Sequence, residues 1–194
     1  YKMKYIILFA LVVAFIGNAL ASDELVIGEN IITVRAHLDD SLENFNIYLS
    51  MPQNYFVGLG FGSSMKDANI VVIDATEESF NGVPVIHDAH SSEHGKPVDN
   101  EESVFKLLDS TSDGDLLTVA LQRPVVVQRD GRDETIPFDE EIKMIYAFKE
   151  GKYGYHGKDS RGFFTLNVSS ETGDVTFNNN PVGTKYNKIK EAMK

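Results

Sequence analysis

Met65 closes the stretch Gly58-Leu59-Gly60-Phe61-Gly62-Ser63-Ser64-Met65, and His156 sits in Tyr153-Gly154-Tyr155-His156-Gly157. A neutral thioether and a neutral imidazole can together fill both axial positions of a haem iron, leaving it suited to passing electrons and closed to oxygen or substrate. Taken singly, a methionine beside a glycine-rich strand reads as a flexible core filler, and a histidine between tyrosines as a loop residue. Tyr153, Tyr155, Lys158 and Arg161 flank His156. Phenol, ammonium and guanidinium groups hydrogen-bond or neutralise carboxylates such as haem propionates, and each of the four also reads as an exposed loop residue. Gly58, Gly60 and Gly62 allow either a close approach of a flat group to the sheet or a bulged strand.

Other constellations compete with this pair. His87, His90 and His94, with Asp88 and Glu93 between them, offer zinc or copper donors, and their i, i+3, i+7 spacing would line one helical face. The composition of that segment predicts a solvated polar loop instead. His37 lies in a predicted strand without an evident partner and reads as structural. Asp39 with Asp40, Asp113 with Asp115, and Asp139 with Glu140 and Glu141 invite a calcium or glycosidase reading, but they cap or flank strands and none has EF-hand spacing. The sequence contains no G-x-S-x-G elbow, P-loop or H-E-x-x-H motif, so a hydrolase is poorly supported. It also contains no cysteine. That removes thiolate catalysis, cysteine-ligated zinc, iron–sulfur clusters and thioether-linked haem, so any haem here would be held non-covalently.

The elements that must position these groups read as strands. Lys2 and Lys4 precede an apolar run from Tyr5 to Leu20 that closes with Ala19-Leu20-Ala21, the pattern of a secretory signal peptide over residues 1–22. Residues 23–175 then form one domain, and 176–194 a polar tail in which Tyr186, Ile189 and Met193 would share a face if it were helical. No later stretch is apolar and long enough to span a bilayer. The formal charge of −11 becomes −13 without the two signal lysines, which disfavours nucleic acid and anionic lipid as partners and suits a cationic one. Predicted strands run over residues 31–38, 45–51, 55–62, 69–74, 104–108, 116–123, 142–148 and 163–168, punctuated by turns at Asp113-Gly114, Asp130-Gly131 and Gly173-Asp174. Phe45, Ile47 and Leu49 alternate with Asn46, Tyr48 and Ser50, the pattern of a strand with one buried face. With no helical repeat between them, these strands predict an all-β, antiparallel two-sheet sandwich.

The order GLGFGSSM, DANIVVID, PVDNEESVFKLL, LTVALQRPV, IKMIYAF and YGYHG resembles the DOMON family over roughly Ile31 to Val168. That family includes the N-terminal module of dopamine β-monooxygenase and the cytochrome domain of cellobiose dehydrogenase. The resemblance implies an immunoglobulin-like β-sandwich of about ten or eleven strands. It further implies either b-type haem or a sugar-like ligand. In the haem-binding members a methionine after the glycine-rich strand and a late histidine are the axial ligands, and the matching positions are Met65 and His156. The chain departs from the pattern in having no tryptophan, with Tyr55-Phe56 where an early-strand aromatic is expected.

Three functions follow as expectations. The first is a secreted b-type cytochrome that passes electrons, has no catalytic residues of its own, and meets a redox partner with a basic docking face. The second is a carbohydrate-binding module using Tyr48, Tyr55, Phe61 and Tyr155 as stacking surfaces. The third is an extracellular protein that self-associates through its sheet edges. Asn167-Val168-Ser169 is a glycosylation sequon at the end of a predicted strand.

Overall fold

The computed structural model describes residues 23–28, 31–77, 80–93 and 95–178 and the backbone of 182–183. The signal segment, His94 and the helical reading of the tail lie outside these residues. Fifteen strands and no helix occur among them: β1 (Leu25–Ile27), β2 (Ile32–Leu38), β3 (Asn44–Pro52), β4 (Tyr55–Phe61), β5 (Ala68–Asp74), β6 (Val85–Ser91), β7 (Val98–Asp99), β8 (Lys106–Asp113), β9 (Leu116–Pro124), β10 (Gln128–Arg129), β11 (Arg132–Asp133), β12 (Ile142–Glu150), β13 (Arg161–Val168), β14 (Val175–Phe177) and β15 (Val182–Gly183). Setting aside β7, β10, β11 and β15, which are two residues each, leaves eleven.

A five-stranded sheet of order β1-β2-β3-β9-β8 faces an eight-stranded sheet of order β14-β13-β12-β4-β5-β6-β7, in which β15 pairs with β13. Every pairing is antiparallel. The alternation expected in β3 is present: Phe45, Ile47, Leu49 and Met51 are buried against the other sheet. Leu59, Ile73, Leu117, Leu121 and Phe164 meet them from both sides. Each such side chain contributes about 1.5–3 kcal/mol on burial. On the opposite face of β3, Asn46 is buried as well, and its Oδ1 accepts from the Gln122 side-chain amide at 3.1 Å.

Two predicted segments differ from what the chain forms. The strand expected to end at Leu108 runs on as β8 to Asp113, across an irregularity in register between Leu107 and Asp109. Its residues are mostly exposed on both faces, so it carries no alternation that a sequence can show. Of the segment 87–94 expected to be a histidine-rich loop, residues 87–91 belong to strand β6, paired in unbroken register with β5.

A polar clamp joins β6 to the β10–β11 hairpin. Arg129, on the β10–β11 hairpin, donates from both terminal nitrogens to the buried Asp88 carboxylate at 2.7 and 2.8 Å. It also donates to both Glu134 oxygens at 2.9 and 3.0 Å. The Asp88 carboxylate accepts as well from the Asn100 side chain and the Val104 amide. Asp130 and Gly131, with φ of 52° and 72°, make the tight left-handed turn on which this hairpin depends.

Candidate functional site

Along β4, Val57, Leu59 and Phe61 face the core, while Phe56, Gly58 and Gly60 face outward. Their cross-strand neighbours share that outer face: Ala147 and Val72 beside Gly58, Ile145 and Ile70 beside Gly60. Phe56, Ala68, Ile70 and Val72 form an apolar cluster separate from the main core, and Met65, Ile145 and Tyr153 pack on it. β4 is therefore buried on both sides, and two connections supply the outer cover: the 62–67 turn, carrying Met65, and the 151–160 segment, carrying Tyr153 and His156. The register on both sides of β4 is continuous, so its glycines do not mark a bulge. At Gly60 an added Cβ would lie 2.7 Å from Ile145 Cγ1, whereas at Gly58 it would meet Val72 and Ile70 at 3.7 and 3.8 Å, ordinary contact distances.

His156 is half-buried, and its Nδ1 lies 2.7 Å from the Gly157 carbonyl oxygen. Since a carbonyl only accepts, Nδ1 carries the proton and the Nε2 lone pair faces away from this bond. Burial holds the imidazole below its ordinary pKa, and the nearby cations Arg161 and Lys149 push the same way, so the neutral, ligating form prevails at neutral pH. Tyr155 stacks on His156 with centroids 5.5 Å apart and is 70 % exposed. The Lys149 ammonium donates to the Tyr155 carbonyl at 3.2 Å. Lys158 and Arg161 are exposed.

Tyr153 runs the other way, onto the apolar cluster. Its ring meets Phe56 edge-on at 5.2 Å and His87 at 4.9 Å, with the Lys96 ammonium 4.9 Å from its centre. Its hydroxyl is buried without a hydrogen-bond partner among the described residues. Burial, aided by the negative charges of Asp99 and Asp74, pushes the phenol up to about 12. His87 donates from Nδ1 to Asp99 Oδ2 at 3.1 Å, and its Nε2 is 4.0 Å from Asp74 Oδ2.

The structure thus brings Met65 and Tyr153 onto one apolar patch, and gathers Tyr155, Lys149 and Arg161 around His156. Met65 follows the C-terminal end of β4, whereas the 151–160 segment leaves β12 where Glu150 pairs with Tyr55 at the N-terminal end of β4. The methionine and the histidine are rooted at opposite ends of the same strand pair, and Tyr153 of the 151–160 segment packs on Phe56. Lys149, Lys96 and Asp99 were not predicted as site residues, and His87 was weighed only as a metal donor. Alternation of face along β12 and β6 is the signal that finds Lys149 and His87, once those strands are known.

The DOMON domain family matches residues 30–149, more than half of the chain. The chain belongs to the DOMON family. Met65 lies inside the matched span and His156 just beyond it. Among solved structures, the cytochrome b domain of pyranose dehydrogenase from Coprinopsis cinerea superposes with a TM-score of 0.57 at 14 % identity, covering 74 % of this chain and 81 % of that one. The cytochrome domain of cellobiose dehydrogenase from Myriococcum thermophilum gives 0.53 at 9 % identity, covering 84 % and 83 %. A search of curated proteins returned no match.

The competing constellations are not assembled among the described residues of this DOMON fold. His87 and His90 sit three apart on a strand and so face opposite sides; His90 bonds Asn69 at 3.1 Å. Among the described residues no group of three histidines or carboxylates is placed to hold a metal ion. The four rings considered for stacking a sugar do not share a face: Tyr48 stacks on His37, Phe61 packs edge-on against Phe45, Tyr55 packs on the main core, and Tyr155 alone of them stands exposed. Asp39 and Asp139 tie down turns, accepting from the Asn44 and Ser170 amides at 3.1 and 3.0 Å. Asn167 lies within β13 with its side-chain amide against that of Asn178 at 3.0 Å.

Proposed function

We propose that this DOMON domain is a secreted b-type cytochrome module that holds one haem non-covalently between Met65 and His156 and passes electrons without catalysing a reaction of its own. The observation that carries this reading is His156. Its imidazole is half-buried, kept neutral, and anchored through Nδ1 to a backbone carbonyl, which presents Nε2 as a donor in the way that orients metal-bound histidines.

The remaining residues fit such a group. The outer face of β4, β5 and β12 is apolar, Met65 and Tyr153 pack over it, and at Gly58 no side chain stands on it. Met65 adds a soft sulfur donor at the border of that surface. The unpartnered hydroxyl of Tyr153 is suited to donate to a polar atom of a ligand, and Lys149, Lys158 and Arg161 are suited to neutralise carboxylates on it. When bound through a thioether and an imidazole, haem iron supplies reversible one-electron exchange at a raised potential. The residues themselves bind, orient and keep water from the apolar face.

The acidic body, −11 overall, favours a redox partner that docks through a basic face. Haem titration of the full chain, with Met65→Ala and His156→Ala alongside, tests the assignment. Wild-type protein should give a low-spin six-coordinate spectrum. Each variant should convert it to high spin, and His156→Ala should lose more than the 10–100-fold in affinity typical of residues that merely orient a ligand. A wild-type spectrum unchanged in both variants would overturn it.

A further inference from the structure

We propose that Asp99 and His87 are positioning residues for His156: they fasten Tyr153, and through it the 151–160 segment, across the outer face of the large sheet. This rests on the reading of His156 as an axial ligand.

The segment leaves β12, whose neighbours in order are β4, β5, β6 and β7. To touch His87 on β6, Tyr153 must cross β4 and β5, a reach of three strand spacings or roughly 14 Å. Backbone hydrogen bonds tie the segment at its two ends, from Gly151 N–H to the Asn54 carbonyl at 2.7 Å and from Phe148 N–H to the Ser160 carbonyl at 2.9 Å. Gly151, Gly154 and Gly157 recur at every third position, and Gly151 and Gly157 adopt φ of 81° and 83°. A glycine-spaced segment has many conformations open to it, so its course must be set by side-chain contacts. Tyr153 makes three of them: Phe56 below at 5.2 Å, His87 at 4.9 Å with ring planes inclined by 33°, and the Lys96 ammonium at 4.9 Å. Lys149 adds a further tie at the Tyr155 carbonyl.

His87 is itself held. Its Nδ1–H donates to Asp99 at 3.1 Å, and Asp99 belongs to β7, the two-residue strand that edges the sheet. Asp99 pairs with Ala89 and Val72 pairs with His87, so all four share the outer face with the site. The chain of contacts therefore runs Asp99, His87, Tyr153 and, three residues on, His156. Neither Asp99 nor His87 needs to touch a ligand for its loss to move the imidazole.

Hydrogen exchange and haem binding, measured on full-length His87→Ala, Asp99→Ala and Asp99→Asn, decide the matter. The alanine variants should speed exchange across 151–160 while β2 and β3 keep their protection, which also shows that the variants fold. With haem added they should lose about 10–100-fold in affinity and show a high-spin fraction. Asp99→Asn keeps an acceptor for the His87 proton and should behave as wild type. Unchanged exchange in both alanine variants, or an asparagine variant as impaired as the alanine one, overturns the proposal. Should wild-type protein take up no haem, the assignment of His156 falls, and the exchange measurement still decides whether Asp99 and His87 hold the segment.

Discussion

At the scale of single residues, what distinguishes the candidate site is how His156 is held. Met65 and His156 were legible in the sequence as candidates because their places in GLGFGSSM and YGYHG match the family pattern, whereas their types alone mark them out from neither the five methionines nor the five histidines. The bond from His156 to the Gly157 carbonyl was not legible, since a backbone partner leaves no mark on residue identity. If Met65 is a ligand, Met65→His should preserve six-coordination and lower the reduction potential, because a neutral sulfur favours ferrous iron more than a second imidazole does. Potentiometric titration of the two proteins checks the sign. Tyr153 supports a different kind of prediction. Its buried hydroxyl without a partner costs about 1–3 kcal/mol unless a ligand satisfies it. Tyr153→Phe should therefore raise the melting temperature of the haem-free protein and fail to raise that of the haem-loaded protein. A parallel rise in both would show that the hydroxyl does not meet the ligand.

Between residues and the whole stand the strands, and here β4 and β6 carry opposite lessons. The glycines of β4 were visible, but their two roles only separate once the partners are known. Gly60 lies under Ile145, so Gly60→Ala should cost about 1–3 kcal/mol in urea denaturation through overpacking. Gly58 has room for a methyl group, and Gly58→Ala should be neutral or stabilising by about 0.4–1 kcal/mol in the free protein while obstructing the floor of the site. Paired urea and haem titrations of the two variants separate these effects. β6 was misread as a loop because its histidines and aspartate lack the apolar alternation of a one-faced strand. Its inward Asp88 is compensated by Arg129 and its outward His87 by Asp99 and Tyr153, partners remote in sequence. Tertiary pairing overrode local composition, as it commonly does for strands.

For the molecule as a whole, the sandwich was readable from spaced apolar strands and turn residues, and the family resemblance supplied the strand number. The short strands β7, β10, β11 and β15 escaped notice because two residues carry no periodicity. The clamp of Arg129 on Asp88 and Glu134 escaped for a further reason: Asp88 lies 41 residues before the hairpin that carries Arg129 and Glu134. Both carboxylates are buried, and Arg129→Ala would leave Asp88 with only the neutral Asn100 and Val104 donors and Glu134 with Arg132 at 3.7 Å, at a cost of about 3–5 kcal/mol in urea denaturation. Arg123, buried between Phe61 and Phe105, is brought down to about 10 by burial and remains charged at neutral pH. Stability should also respond to mild acid. Burial holds His37 and His90 below the ordinary histidine value of 6.5. Groups with a lowered folded pKa contribute stability that is present above 6.5 and is lost as pH falls through the folded value. The urea midpoint of the haem-free protein should therefore be lower at pH 5.5 than at pH 7.5, and a His37→Gln, His90→Gln variant should show a smaller drop. An equal drop would assign the effect to other groups.

The central claim is that this chain holds a haem between Met65 and His156. Its most direct measurement is the absorption spectrum of wild-type protein produced with haem supplied, recorded before and after dithionite with the haem content per chain. The account predicts one haem per chain, low-spin in both oxidation states, with sharp, well-resolved bands on reduction. A folded protein that takes up no haem, or holds it high-spin in both states, would contradict it.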